Sequence, residues 1–235
     1  MRLFLLILFF SPLLHSEEAV SLKDLHPQYV LSKFTDQTSL AWLAAGAVSV
    51  MAVQNSDISI RNQWKDHQQM SESTAHAGDL LGSGIGGLVI LGGQYLYDGK
   101  RENWKSHARA LIYESSLVFV MKYAFGKQRP GGKSNYESFP SGHTATAFAT
   151  ATALSYSYGW KAAVIAYPLA AFVAASRLSD DMHWGSDVVG GAFLGTLVAR
   201  AAYMDEKNQD ETAAHGEFFP ALSPENFAIN YLYSF

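Results

Sequence analysis

Six helix-length stretches that are nearly free of charge, with the charged residues bunched between them, constrain this chain more than any other feature. Residues 39–56, 80–97, 138–160, 162–176 and 188–199 contain no Asp, Glu, Lys or Arg, and residues 110–122 form a sixth run, ended by Lys122 and interrupted by Glu114. A helix that is apolar on every side is buried, either in a protein core or in lipid. Most of the runs fall just short of the ~20 residues that cross a bilayer fully. Small residues recur at i, i+4 in Gly82/Gly86, Ala145/Ala149/Ala153 and Gly191/Gly195, a spacing that suits close helix contact in membranes and in soluble bundles alike. Charged residues make up 16% of the chain, against roughly 25% in soluble domains. These features predict an all-α, six-helix bundle that is transmembrane.

The ends differ from the middle. "MRLFLLILFFSPLLHSEEAV" places Arg2 before an apolar run that stops at Leu14, the layout of a signal peptide over residues 1–16. Residues 17–78 form a polar N-terminal segment with one apolar helix, and residues 204–235 form a tail. In that tail Phe227, Ile229, Tyr231, Tyr233 and Phe235 alternate with smaller or polar residues, a period-two pattern that predicts a short terminal strand. Lys100, Arg101, Lys105 and Arg109 are read as one basic, cytoplasmic loop. The run at 39–56 would then exit the cell from a cytoplasmic N-terminus, whereas a cleaved signal would leave that end outside. The two readings differ by one crossing.

The net charge of −4, with no basic stripe, argues against a nucleic-acid partner. The absence of cysteine excludes disulfides, thiolate metal sites and thiol nucleophiles.

Three polar clusters interrupt the apolar sequence: Lys122, six residues, then Arg129-Pro130; Pro140-Ser141-Gly142-His143; and Ser176-Arg177, five residues, His183, three residues, Asp187. Each has a structural reading when taken alone. Lys122 and Arg129 can cap a helix end, Ser141 can be an N-cap, and His183 with Asp187 can be a surface i, i+4 pair. Together they also meet the needs of phosphate chemistry. Lys122, Arg129 and Arg177 would supply cations, with the arginines able to grip a phosphoryl group bidentately. Ser141 and Gly142 would open a helix whose first amides bind anions. His183 would attack phosphorus, with Asp187 beneath its ring to fix the tautomer. His143 would protonate the leaving oxygen and then activate water.

In order and spacing the clusters resemble the signature of the phosphatidic acid phosphatase type 2 (PAP2) superfamily, which shares its fold with vanadium haloperoxidases and bacterial class A acid phosphatases. The resemblance covers residues 79–203. It implies a hydrolase of lipid phosphate monoesters or pyrophosphates that works through a phosphohistidine, with no metal, cofactor or obligate protein partner. His183, His143 and Asp187 would be catalytic, and Lys122, Arg129, Ser141, Gly142 and Arg177 would hold the phosphate. It also implies a membrane protein of the bacterial cell envelope with its site on the outer, periplasmic face. A soluble exported acid phosphatase is the alternative; a vanadate-dependent haloperoxidase and a non-catalytic lipid binder are less favoured. Asp180 and Asp181 are expected to face water and shape the entry, and Trp184 to pack. Lys127, Lys133 and Tyr136 are expected in exposed loops, and His67, His76, His107 and His215 at the surface.

Overall fold

The computed structural model describes residues 33–67, 69–132, 134–207, 218–223 and 226–231. The signal-like segment at 1–16, Lys133 and His215 lie outside them.

Eight α-helices are formed among the described residues: α1 Gln37–Gln54, α2 Asp57–Asp66, α3 Glu72–Gly82, α4 Ile85–Gly93, α5 Arg101–Phe125, α6 Gly142–Tyr158, α7 Trp160–Ser179 and α8 Gly185–Lys207. Polar residues set several starts. The Asp36 carboxylate accepts from the Ser39 amide at 3.0 Å, and the Ser71 hydroxyl accepts from the Thr74 amide at 3.2 Å, each satisfying an N–H that has no helical partner.

Six helices were expected, and the difference has two local causes. The run at 80–97 breaks at Gly84, whose φ of 94° is open to glycine and costly for other residues. The break divides it between α3 and α4, with a bend of 54°. The second cause is α2, a polar helix that apolar periodicity does not reveal.

α6 lies in the middle of the bundle, packed against α5, α7 and α8, while α8 also packs on α1 and α5, and α3 packs on α7. The α6–α8 contact runs backbone to backbone. A Cβ at Gly191 would stand 2.5 Å from the Ser141 carbonyl oxygen, and one at Gly195 2.1 Å from that of Ala145. The small-residue stripes read from the sequence therefore meet each other, and they fix the start of α6 beside the start of α8.

Two positional expectations are corrected. Arg109 does not lie in a loop; like Arg101 and Lys105 it is in α5, and it is only 1% exposed. His107 is wholly buried, with Nδ1 2.7 Å from Gln94 Oε1 and Nε2 3.2 Å from Thr150 Oγ1. Both residues sit on the inward face of a helix that starts earlier than its apolar run. His67 and His76 are exposed, as expected.

α7 is long and apolar enough to cross a membrane, and α3 with the α4 segment extended to Asp98 passes the same test as one broken span. Phe218–Ser223 and Asn226–Tyr231 pair as two antiparallel strands, with Phe218 opposite Tyr231, where the sequence predicted one.

Candidate active site

Consecutive helices from α5 to α8 alternate in direction, so the C-terminal ends of α5 and α7 lie with the N-terminal ends of the parallel pair α6 and α8. Lys122 is in the last turn of α5, Arg177 near the end of α7, His143 in the first turn of α6 and Asp187 in the first turn of α8. Arg129 and His183 lie in the loops that join these ends. His143 lies within electrostatic reach of Arg177, Arg129 and His183, and His183 within reach of Arg129 and Lys122. One end of the bundle thus gathers three cations and two imidazoles.

The buried His183 ring places Nδ1 2.8 Å from the Ser138 carbonyl oxygen. That acceptor holds the proton on Nδ1 and leaves Nε2 with the free lone pair. The sequence assigned the orienting role to Asp187, yet its nearer carboxylate oxygen stands 3.8 Å from Nδ1. This is an attractive ion-pair distance but too long for a hydrogen bond. The reason lies in Asp187's other partners: Oδ2 accepts from Ser138 Oγ at 2.5 Å and from the Trp184 amide at 2.8 Å, and Oδ1 lies 2.9 Å from Lys127 Nζ. Burial pulls the His183 pKa down, while Asp187 pushes the other way.

Lys127 is a site residue that sequence reasoning left in an exposed loop. Its ammonium also bonds Asp57 Oδ2 at 3.1 Å and Ser186 Oγ at 2.7 Å, and it lies over the Trp184 ring. Asp57, on α2, accepts from the Ser186 amide at 2.8 Å and the Ser186 hydroxyl at 2.6 Å, and so caps α8. The Trp184 indole donates to the Gln128 carbonyl at 2.8 Å.

Among the expected phosphate contacts, Lys122 Nζ donates to the Glu137 carbonyl at 2.5 Å and Arg129 Nη1 to the Met182 carbonyl at 3.2 Å. Arg129 Nε is buried with no hydrogen-bond partner among the described residues. Gly142 and His143 begin α6, where amides have no intrahelical acceptor. Ser141 behaves differently. It is fully buried, its amide donates to the Asp187 carbonyl at 3.0 Å, and its hydroxyl accepts from Thr144 Oγ1 at 3.0 Å. It therefore ties α6 to α8.

The acidic pair in the third cluster does not simply face water. Asp180 accepts from Arg177 Nη2 at 2.8 Å. Asp181, at φ 52°, takes a two-pronged bond from Arg61 of α2 at 2.6 and 2.8 Å. Asp79 of α3 accepts from Arg177 Nη1 through Oδ1, and the same oxygen lies 3.0 Å from His143 Nε2. Burial and the Arg177 charge bring the His143 pKa down to about 4. Asp57, Arg61 and Asp79 carried no periodic or motif signal in the sequence. For Asp79 the one hint was a lone carboxylate beside the small residues of "AHAGDLLGSG".

Residues 105–210 match the PAP2 superfamily. The chain is 40% identical over 114 residues to a lipid A 1-phosphatase of Porphyromonas gingivalis, covering 46% of this chain and 25% of that protein. It is 40% identical over 85 residues to lipid phosphate phosphatase 1 of Arabidopsis thaliana, covering 30% of this chain and 26% of that one. The chain thus spans about a quarter of the length of these curated relatives. Two crystal structures share the fold at 23% identity. The LpxE of Aquifex aeolicus gives a TM-score of 0.55 over 62% of this chain and 93% of its own. A transmembrane PAP2-type phosphatidylglycerolphosphate phosphatase of Bacillus subtilis gives 0.53 over 78% and 96%. Over residues 105–210 the chain is thus similar to the PAP2 superfamily, in a fold that it shares with those two solved structures.

Proposed function

We propose that the chain is a phosphatase that removes the terminal phosphate of a lipid phosphate monoester or pyrophosphate at a membrane surface, through a phosphohistidine and without a metal. The observation that carries this reading is the gathering of Lys122, Arg129 and Arg177 around two buried or half-buried imidazoles, with the buried Arg129 Nε left without a hydrogen-bond partner among the described residues. Cations so placed are costly unless an anion joins them, and a phosphoryl dianion supplies both the charge and the acceptors. Among the described residues, no three His, Asp or Glu side chains are grouped to hold a metal ion.

In this reading His183 Nε2 attacks phosphorus as the bond to the lipid oxygen breaks, and that oxygen takes a proton from His143. Water then attacks the phosphohistidine and gives a proton back to His143, releasing phosphate and neutral His183. Lys127 and Asp57 hold Asp187 behind the ring, where its charge steadies the imidazolium side of the cycle.

The lipid substrate is supported by the names of the relatives, a lipid A 1-phosphatase and a lipid phosphate phosphatase. The membrane is supported by α7, by the broken α3–α4 span, and by exposed Val89, Phe119, Val120, Val164 and Ile165 on the outside of the bundle. We place the protein in the bacterial cell envelope with the site on the outer face.

The test is phosphate release from lipid and water-soluble monoesters, measured on membranes and on the detergent-free soluble fraction. Activity on lipid esters in the membrane fraction, competitive inhibition by vanadate and indifference to EDTA are expected. His183→Ala should lose phosphate release while keeping its thermal midpoint. Turnover by that variant would remove His183 as nucleophile, and activity confined to the soluble fraction would favour the exported acid phosphatase.

A further inference from the structure

We propose that Asp79 is the positioning residue of His143, holding its ring so that Nε2 keeps a proton and Nδ1 exchanges one with the ester oxygen and then with water. This rests on the phosphatase reading above.

Asp79 lies on α3, outside the residues matched to the family. Its place is set by backbone approach. Gly78 and Gly82 flank it, and a Cβ on either would collide with the neighbouring helices: 2.4 Å from Ser176 in the first case, 2.5 Å from Val173 and 2.9 Å from His143 Cβ in the second. The two glycines therefore seat α3 against α7 and against the start of α6, with Asp79 directed at the His143 ring.

Arg177 fixes the carboxylate in turn. Its Nη1 bonds Asp79 Oδ1, while Nε donates to Ser176 Oγ at 3.1 Å and Nη2 to Asp180 at 2.8 Å. The guanidinium, held on three sides, anchors Oδ1 of the half-exposed Asp79 carboxylate, and the same oxygen meets His143 Nε2 at 3.0 Å.

Charge makes this contact necessary. Arg177, Arg129 and His183 face the His143 ring and all oppose a proton on it, whereas Asp79 is the carboxylate that favours one. A general acid must carry its proton when the leaving oxygen needs it. A carboxylate on one ring nitrogen also fixes the tautomer of the other. The site then has two oriented imidazoles of opposite sense. The Ser138 carbonyl takes Nδ1 of His183 and frees Nε2, and Asp79 takes Nε2 of His143 and frees Nδ1. The proton balance is unchanged: the ester oxygen leaves with the His143 proton, and water restores it.

The experiment compares kcat/KM of the unmodified protein and of Asp79→Asn on p-nitrophenyl phosphate, whose leaving group needs little protonation, and on phosphatidic acid, whose alkoxide needs a proton. The expected result is a loss of about 100-fold on phosphatidic acid, at the lower end of general-acid effects, and a loss about tenfold smaller on the aryl ester. Asp79→Glu should recover part of the loss. In a His143→Ala background, Asp79→Asn should add nothing, because both act on one proton transfer. Equal loss on both esters, or an additive loss in the His143→Ala background, would overturn the assignment. So would a gain in kcat/KM with tighter vanadate inhibition, which would make Asp79 an internal competitor for Arg177 and His143. If the unmodified protein releases phosphate from neither ester, the phosphatase reading fails instead, a result distinct from all of these.

Discussion

Gly195→Ala tests whether backbone-to-backbone packing of α6 on α8 is what sets the site. An alanine Cβ there would lie 2.1 Å from the Ala145 carbonyl oxygen and 2.9 Å from the Ala149 nitrogen, where ordinary contact begins at 3.4 Å. Both obstacles are backbone, so no side chain can swing aside, and the helices must part by about 1.3 Å. Overpacking of this kind costs about 1–3 kcal/mol. Activity should suffer more than stability. α6 carries His143 and α8 carries Asp187, bound across the gap by the 3.0 Å bond from the Ser141 amide to the Asp187 carbonyl. A displacement of ~1 Å in such a constellation can cost about 100-fold in rate. Gly92→Ala is the control: nothing lies within 4 Å of its Cβ position, and alanine favours the helix by up to ~1 kcal/mol. Thermal unfolding in detergent and p-nitrophenyl phosphate turnover read the two effects separately. If Gly195→Ala matched the unmodified protein in both, the packing argument would be wrong.

Two further outcomes follow from the site. Lys127→Met removes the ion pair on Asp187 and the link to Asp57; kcat should fall about 10- to 100-fold, the range seen when an outer support of a reacting group is lost, with KM nearly unchanged, as steady-state kinetics would show. The pH profile of kcat/KM should peak below 6.5, because burial lowers both histidine pKa values in the free enzyme. Neutral His183 then persists into mild acid, while protonated His143 is lost as pH rises, so a peak above pH 7 would contradict the assigned roles.

The legibility of this site followed the range of its contacts. Lys122, Arg129, His143, Arg177, His183 and Asp187 were readable because their spacings are fixed within short segments, and the bundle does bring them together. The partner of His183 Nδ1 was not readable, because a backbone carbonyl leaves no mark in a sequence. The helix count failed where one glycine broke an apolar run and where a polar helix had no apolar face to announce it. Arg109 and His107 were misplaced because polarity was taken as exposure, whereas a helix can turn polar groups inward when partners await them.

What short spacing misses in this chain is one structural unit rather than scattered detail. Asp57 reaches Ser186 across 129 residues, Arg61 reaches Asp181 across 120, and Arg177 reaches Asp79 across 98. Three of these six residues lie on α2 and α3, N-terminal to the stretch matched to the family, and each bonds the loop or helix end that carries a group proposed to react. The matched stretch supplies the groups proposed to meet phosphate, and the N-terminal helices add Asp57 and Asp79 to the carboxylates around them. Without Asp57 and Asp79, the cations Lys127 and Arg177 would face the other cations with fewer carboxylates to offset them, and like charges at such range repel strongly in a half-buried site. The N-terminal helices therefore belong to the site's electrostatics, and a search for function-altering substitutions should begin on α2 and α3 as readily as within the three motifs.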